Sequence, residues 1–400
     1  MRILMVNKFL YPAGGAETYV FQLGAYWEAK GHKVEYFGMD HPENAVRNRW
    51  GLYTAAVDFH KSGIRSNMVN PLKLVYSIEA KRKMGELLKE FQPDVVHINN
   101  FNYQLTPSIL LAMEQYRKRY GRKMRIVYTA HDPQLVCPSH YMYRPGSHQA
   151  CDQCLTGGFV RCIAGRCIHG SLIRSCLGTA EALYWNWRKV YGSIDTIVCP
   201  SSFMKEKLDT NPLLAGKTVM LRNFVGNIER REAQKGKYVL YFGRYSEEKG
   251  IRTLLEVCRE LPHIPFVFAG SGPLNDLISG IANVRNVGFL SGEALDKVIR
   301  EARFSICPSE CNENCPFSVI ESMMHGTPVL GSDRGGIPEL IEDGCTGWIF
   351  KAGDKDALKE KIQLIWESEE PELFVQACRE KQFDSPEEYG NKMLRIYRGE

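Results

Sequence analysis

The sequence predicts an α/β protein of two doubly wound domains, each a parallel sheet covered by helices on both faces. Three observations lead there. Short, almost wholly apolar runs alternate with amphipathic helical patterns, as strands buried on both faces require. The alternation occurs twice, on either side of a segment that turns polar at 221–236. A length of 400 residues also suits two ordinary domains better than one.

RILMVNKF at 2–9 is the first apolar run. The glycine-rich turn PAGGAE follows, then a helix whose Val20, Leu23, Tyr26 and Trp27 recur at helical spacing until Gly31 ends it. PDVVHINN at 93–100 and MRIVYTAHD at 124–132 are strands that end in polar residues. SIDTIVCPSSFMKEKL at 193–208 repeats strand and helix, with Ser201 or Ser202 as N-cap. The first domain therefore spans 1–220 and contains an irregular cysteine-rich insert at 137–176. In the second domain, 237–380, strands are expected at KYVLYFGRY, IPFVFAGSGPL, FSICPSE and TPVLGSD. A helix at 381–400 carries Tyr389, Met393, Ile396 and Tyr397 on one face and is suited to dock on either domain, including back onto the first.

Composition narrows the class. With 44% hydrophobic and 24% charged residues, the chain has a globular balance. No window holds eighteen uninterrupted apolar residues, and the N-terminus reads as a buried strand rather than a signal. Thirteen cysteines then suggest a reducing compartment, so a cytoplasmic protein is expected. The net charge of +5 conceals an asymmetry: residues 1–215 hold 27 Lys and Arg against 17 Asp and Glu. That field suits anionic lipid or a diphosphate-linked substrate, and no nucleic-acid module accompanies it. SLIRSCLGTAEALYWNWRKVY at 171–191 mixes Leu, Tyr and Trp with Arg and Lys, as peripheral membrane anchors do. A helix packed in the core is its other reading.

The insert holds five cysteines, Cys137, Cys151, Cys154, Cys162 and Cys167, among residues too polar to build a core. A CxxC and a Cx4C can close a tetrahedral zinc site from a loop. Free or disulfide-bonded cysteines, or a catalytic metal or redox pair, stay open as alternatives.

Ligands of doubly wound sheets bind beyond the carboxyl ends of the strands. There stand Gly14 and Gly15, His97, His131 and Asp132, Arg244 and Lys249, Gly270 and Gly272, and the block from Glu310 to Gly336. Gly14 and Gly15 open a helix whose amides suit a phosphate. Arg244 and Lys249 are spaced for a diphosphate. In PSECNENCPFSVIESMMHGTPVLGSDRGGIPEL, Glu313 and Glu321 flank Pro316, and a helix is expected from about Phe317. Such carboxylates clamp sugar or ribose hydroxyls, while Ser318 and the amides after Pro316 suit phosphate.

In its ordered PxGGAE, GRxxxxKG, AGxG and ExxxxxxxE with HGTPVxxSDRGGxPE, nearly the whole chain resembles the retaining glycosyltransferases of the GT-B fold, family 4 or group 1. The resemblance implies two Rossmann-like domains facing across a cleft, with a nucleotide-sugar donor held mainly by the second and the acceptor by the first. It implies that Gly15 meets the donor phosphates, with Gly14, Gly270, Gly272, Pro316, Phe317 and Ser318 on the nucleotide-sugar side. Arg244 and Lys249 would balance the leaving diphosphate, Glu313 would bind the transferred sugar, and Glu321 the ribose. His131 would contact the sugar near the reaction centre, with His97 and Asp132 towards the acceptor, and no divalent metal would be needed for catalysis. In HDPQLVCP, CDQC and CIHGS the chain is also similar to a bacterial subset sharing a structural insert. Within it, Cys137, Cys151, Cys154 and Cys167 are the preferred zinc ligands, Cys162 is the reserve, and His140, His148 and His169 rank lower.

The expected activity is transfer of a sugar to a saccharide or lipid-linked saccharide, at the inner membrane face without crossing it. A sugar-nucleotide epimerase of the same fold, a hydrolase using the two glutamates as acid and nucleophile, and a basic zinc-bearing interaction protein with a degenerate cleft are the rivals.

Overall fold

The structure, a computed structural model, describes residues 1–56, 71–121, 123–145, 149–226 and 235–400. His148 and half of the expected linker, 227–234, lie outside the described residues. The chain divides into two compact units: 1–142 with 152–222 and 386–400, and 143–151 with 223–385. The C-terminal helix therefore groups with the first unit, and a nine-residue piece of the insert groups with the second.

The first unit is built on a parallel sheet of β1 (Arg2–Val6), β2 (Lys33–Phe37), β3 (Val95–Ile98), β4 (Arg125–Thr129), and, after the insert's short antiparallel hairpin of β5 (Tyr143–Arg144) and β6 (Gln149–Ala150), β7 (Thr196–Cys199) and β8 (Thr218–Met220). Their order is β2-β1-β3-β4-β7-β8. All four residues of β3 are buried, which is why that strand shows no alternation in the sequence. Leu4, Val6, Phe37, Ile98, Ile126, Tyr128 and Ile197 form its core with Trp185 and Tyr191. Ser201, rather than Ser202, caps the helix Ser202–Asp209 by accepting from the Met204 amide.

The second unit repeats the plan with β9 (Val239–Arg244), β10 (Phe266–Ser271), β11 (Val284–Gly288), β12 (Phe304–Cys307), β13 (Val329–Ser332) and β14 (Gly347–Phe350). Their order is β11-β10-β9-β12-β13-β14, all parallel. Its core gathers Val239, Tyr241, Tyr245, Phe268, Phe304, Trp348 and Phe350.

The helix Pro386–Arg398 buries Tyr389, Met393 and Tyr397 in the first unit and leaves Ile396 partly exposed. Its two tyrosines join a buried chain of hydrogen bonds. Tyr397 meets His97 Nδ1 at 2.6 Å, His97 Nε2 meets Thr129 Oγ1 at 2.7 Å, and Tyr19 bridges Thr129 at 3.3 Å to Tyr389 at 2.8 Å. His97 is thus fully enclosed with both nitrogens bonded, and the acceptor-side place expected for it does not fit. Its role is to tie β3 and β4 to two helices.

One carboxyl interrupts the apolar packing of the first unit. Glu181, on the helix Leu172–Trp187, is buried and bonded to Asn102 Nδ2 at 3.4 Å, with Tyr103 and Tyr191 nearby. Burial pushes its pKa from 4.5 up to about 8, against the Asn102 bond, so it is mostly protonated at neutral pH. Because the folded value is the raised one, stability attached to this group is intact below pH 4.5 and is lost as pH climbs to about 8. Glu181→Gln should therefore gain on wild type steadily across that window, approaching roughly 4 kcal/mol at its top. Urea unfolding at stepped pH measures this, and a constant offset would contradict it.

Candidate active site

In the second unit the strand order reverses between β9 and β12, so its crevice lies past the carboxyl ends of those two strands. β9 delivers Arg244, exposed at its end, and a single 3-10 turn, Glu247–Lys249, brings Lys249 back over the crevice. β12 delivers Ser309, Glu310 and Glu313. Lys249 Nζ forms an ion pair with Glu313 Oε1, which also accepts from Ser309 Oγ at 2.6 Å. Burial alone would depress Lys249, but the Glu313 carboxylate, with Cys311 and Tyr241, holds its pKa above the ordinary value. The ammonium is fixed as a cation.

Close backbone packing holds this pair. Gly336 N donates to Glu313 O at 2.7 Å, and a Cβ on Gly335 would lie 1.9 Å from that same oxygen. Gly250, at φ 72°, would meet Pro308 O at 2.0 Å. Gly270 and Gly272, expected beside the nucleotide sugar, are required for a different reason. Their missing Cβ atoms would fall 1.9 Å from Gly243 O and 2.5 Å from Tyr245 O, so β10 and its turn lie directly against the backbone of the Arg244 loop. Glu310, which heads the block singled out in the sequence, accepts through its carboxylate from Thr253 at 2.6 Å and from Tyr143 of the hairpin at 3.3 Å, partners that the sequence did not reveal.

The helix Phe317–Met324 begins after Pro316 with no side-chain cap, leaving the amides of Phe317 and Ser318 for an anion. Glu321 lies in its second turn, partly exposed. Burial first, and then Asp296, push its carboxyl up to about 7. Asp296 also meets His325 Nε2 at 3.3 Å, so a second carboxylate is already held one turn away.

In the first unit the order reverses between β1 and β3. Gly14 precedes the helix Gly15–Ala29, again with no side-chain cap. Beneath that turn Glu17 is buried and accepts from Asn7 Nδ2 at 2.8 Å. His131, past β4, donates through Nε2 to Asn99 Oδ1 at 2.8 Å, and Tyr19 packs edge-on against its ring at 4.9 Å. Burial lowers its pKa to about 3 although part of its surface stays reachable, so the ring is neutral with the Nδ1 lone pair left to accept. Asp132 caps the Gln134 amide at 2.9 Å, and burial raises it to about 6 against the pull of Lys8. Glu181 reaches this loop through Asn102, whose amide donates to Gln134 Oε1 at 3.4 Å and whose carbonyl accepts from Lys8 at 3.2 Å. A lone Glu in an alanine-rich apolar stretch was the only signal of it.

The insert's thiols separate. Cys151 ends the hairpin segment in the second unit, while Cys137, Cys154, Cys162 and Cys167 belong to the first. Cys154 and Cys162 are packed with Phe159, Ala182, Ile168 and Cys167, and Cys162 hydrogen-bonds Cys167. Cys137 contacts Ser139 Oγ at 3.3 Å. Among the described residues, no three His, Cys, Asp or Glu side chains are gathered closely enough to hold a metal ion. The single Asp-x-Asp, Asp354-Lys355-Asp356, opens a helix, with Asp354 capping Ala357 at 3.0 Å.

A family model described as Glycosyltransferase Family 4 matches residues 13–226, and one described as Glycosyl transferases group 1 matches 227–381. The chain is 32% identical over 151 residues to the sulfoquinovosyl transferase SQD2 of Arabidopsis thaliana, a stretch covering 36% of this chain and 29% of that protein. To an uncharacterized 42.6 kDa protein in the cps region of Klebsiella pneumoniae it is 24% identical over 357 residues, 85% of this chain and 87% of the other. Among solved structures it is similar to Anabaena Alr3699/HepE in complex with UDP-glucose, with a TM-score of 0.67 and 14% identity over 100% of both chains, a likeness of fold. With the first match alone spanning more than half its length, and the Lys249, Glu313 and Glu321 positions set at the switch point of the second sheet, the chain belongs to glycosyltransferase family 4 and has the two-domain GT-B fold.

Proposed function

We propose that the protein moves a sugar, with retention, from a nucleotide-diphosphate sugar to a saccharide or lipid-linked saccharide acceptor in cell-surface glycan biosynthesis. The observation that carries this reading is the Lys249–Glu313 pair at the switch point, with exposed Arg244 beside it. As the glycosidic bond breaks, negative charge gathers on the bridging oxygen of the leaving diphosphate. Two cations and the uncapped amides of Phe317 and Ser318 are therefore worth most in the transition state. Glu313 accepts hydroxyls of the transferred sugar and Glu321 those of the ribose. The neutral His131 accepts from the sugar at Nδ1. The acceptor oxygen attacks the anomeric carbon on the face the diphosphate leaves, and its proton passes to the departing phosphate oxygen. The Anabaena relative in complex with UDP-glucose supports a nucleotide-sugar donor.

Thermal-shift screening against UDP-, GDP-, ADP- and dTDP-sugars should select one donor, and product analysis should then find the sugar transferred. An isomerised nucleotide sugar would instead identify an epimerase, and no donor binding at all would overturn the reading.

With that donor, Glu313→Gln should cut kcat by about ten- to a thousandfold, roughly 1.4–4 kcal/mol of transition-state stabilisation. Lys249→Ala should be at least as damaging. Glu321→Gln should act mainly on the donor KM. Wild-type kcat in both of the first two variants would refute the assignment.

We further propose that the insert thiols take one structural zinc, with Cys162 in place of the expected Cys151. The shared packing of Cys154, Cys162 and Cys167, and the position of Cys137 within electrostatic reach of Cys162, support this set. Cys162 and Cys167 are already in hydrogen-bonding contact, and the ion would draw the other two thiols to them and close the loop. Protein purified without added zinc should contain about one equivalent. Cys162→Ser and Cys167→Ser should lose it and Cys151→Ser keep it; metal-free wild type would end the proposal.

A further inference from the structure

The helix Leu172–Trp187 is apolar on two sides, and among the described residues only one of them is covered. Its inner side buries Ser175, Gly178, Thr179, Ala182 and Trp185, besides Glu181. The Trp185 indole donates to Val75 O at 2.9 Å, and a Cβ on Gly178 would meet Ile168 at 2.4 Å, so the helix is fixed in place. Its outer side presents Ile173, Cys176, Ala180, Leu183 and Trp187 at alternating spacings of three and four, one continuous stripe. Ile173 is 73%, Leu183 44% and Trp187 74% exposed, with Leu172, next to Ile173 in the helix, at 50%. Such an apolar surface on a folded unit marks a docking face.

The charges around the stripe say what docks. Arg161, Arg166, Arg174, Arg188 and Lys189 are all exposed, and the only acid between 153 and 193 is the buried Glu181. A second copy of the chain would bring five more cations against these five with no carboxylate between them, so self-pairing is opposed. Nucleic acid would use the cations but leave the Ile, Leu and Trp surface wet. An anionic lipid surface satisfies both, with the apolar stripe among the acyl-chain ends, Trp187 at headgroup level and the cations on lipid phosphates. The helix has 16 residues, roughly 24 Å long, which suits lying in the interface and is too short to span it. No helix among the described residues is long and apolar enough to cross a membrane.

We propose that this face seats the protein on an anionic membrane surface, with the helix Leu172–Trp187 lying in the headgroup plane. The inference does not depend on which sugar is transferred, and its test uses no turnover. The full chain is floated with phosphatidylcholine vesicles containing or lacking phosphatidylglycerol. Binding should require the anionic lipid, weaken with salt, and shift Trp emission to the blue, a shift that Trp187→Phe should diminish. The triple variant Ile173→Ser, Leu183→Ser, Trp187→Ser should lose at least tenfold in binding. Neutralising Arg174, Arg188 and Lys189 to Gln should lose about fivefold per charge. Glu313→Gln should bind as wild type does, which separates this face from the transfer site. Absence of binding to either vesicle, equal binding to both, undiminished binding in the two surface variants, or a solution dimer that Trp187→Ser converts to monomer would each overturn it.

Discussion

The ion pair between Lys249 and Glu313 is the interaction around which the second unit is organised. A half-buried cation and carboxylate are tolerated only when each satisfies the other and the remaining lone pairs are bonded, and here Ser309 supplies that bond. The backbone geometry follows from it. Gly250 lets the lysine turn pass against Pro308, and Gly335 and Gly336 let the loop after β13 close on Glu313. Gly270 and Gly272 let β10 press against the Arg244 loop. A side chain at Gly250 or Gly335 would displace the turn or loop that carries one partner, leaving a charge without its counter-charge. In the proposed reaction the same pairing has a use. A diphosphate arriving at Lys249 competes for the ammonium, and the Glu313 carboxylate is then released toward the sugar hydroxyls.

The first unit answers a different problem with neutral groups. Its crevice holds His131 and Asp132 past β4, and burial shifts both toward their uncharged forms. The buried run from Tyr397 through His97, Thr129 and Tyr19 to Tyr389 fixes Tyr19, and Tyr19 fixes the face of the His131 ring. The C-terminal helix thus reaches the imidazole through a chain of neutral hydrogen bonds. A neutral His131 can accept from a sugar hydroxyl without adding positive charge near an anomeric carbon that is itself becoming positive.

Much of this was legible in the residues, for identifiable physical reasons. Strands such as VVHI and TIVC are buried on both faces, so their unbroken apolarity announced a parallel sheet. The helix start at Phe317 was signalled by Pro316, whose fixed φ suits the position before a first turn. The partnering of polar groups was less visible, because it depends on contacts far apart in sequence. His97 read as a ligand-side residue since it follows a strand pattern, yet its two partners lie 32 and 300 residues away. The glycines of AGSGP read as residues on the nucleotide-sugar side, and the close approach of a neighbouring backbone that also requires them was not visible. Cys151 shares a CxxC with Cys154, but the chain between them passes from one unit to the other.

The segment 171–191 had two readings, a core helix or a membrane anchor, and the helix it forms is wide enough for both. An apolar stripe occupies about a third of a helix circumference, so two stripes can lie on opposite sides of one cylinder. On this helix they do, with Trp185 enclosed on one side and Trp187 bare on the other, two residues apart. The inner side also carries Glu181, bonded to the Asn102 loop that holds Gln134 and, through it, Asp132. Docking face and strand-end loop are therefore separated by the thickness of one helix, about 10 Å. A single rigid element that touches lipid on one side and braces the His131–Asp132 loop on the other sets the distance at which a lipid-linked saccharide would present its hydroxyl. The cysteine-rich insert then has a mechanical purpose: Cys154, Cys162 and Ile168 pack beneath that helix and hold the spacing constant.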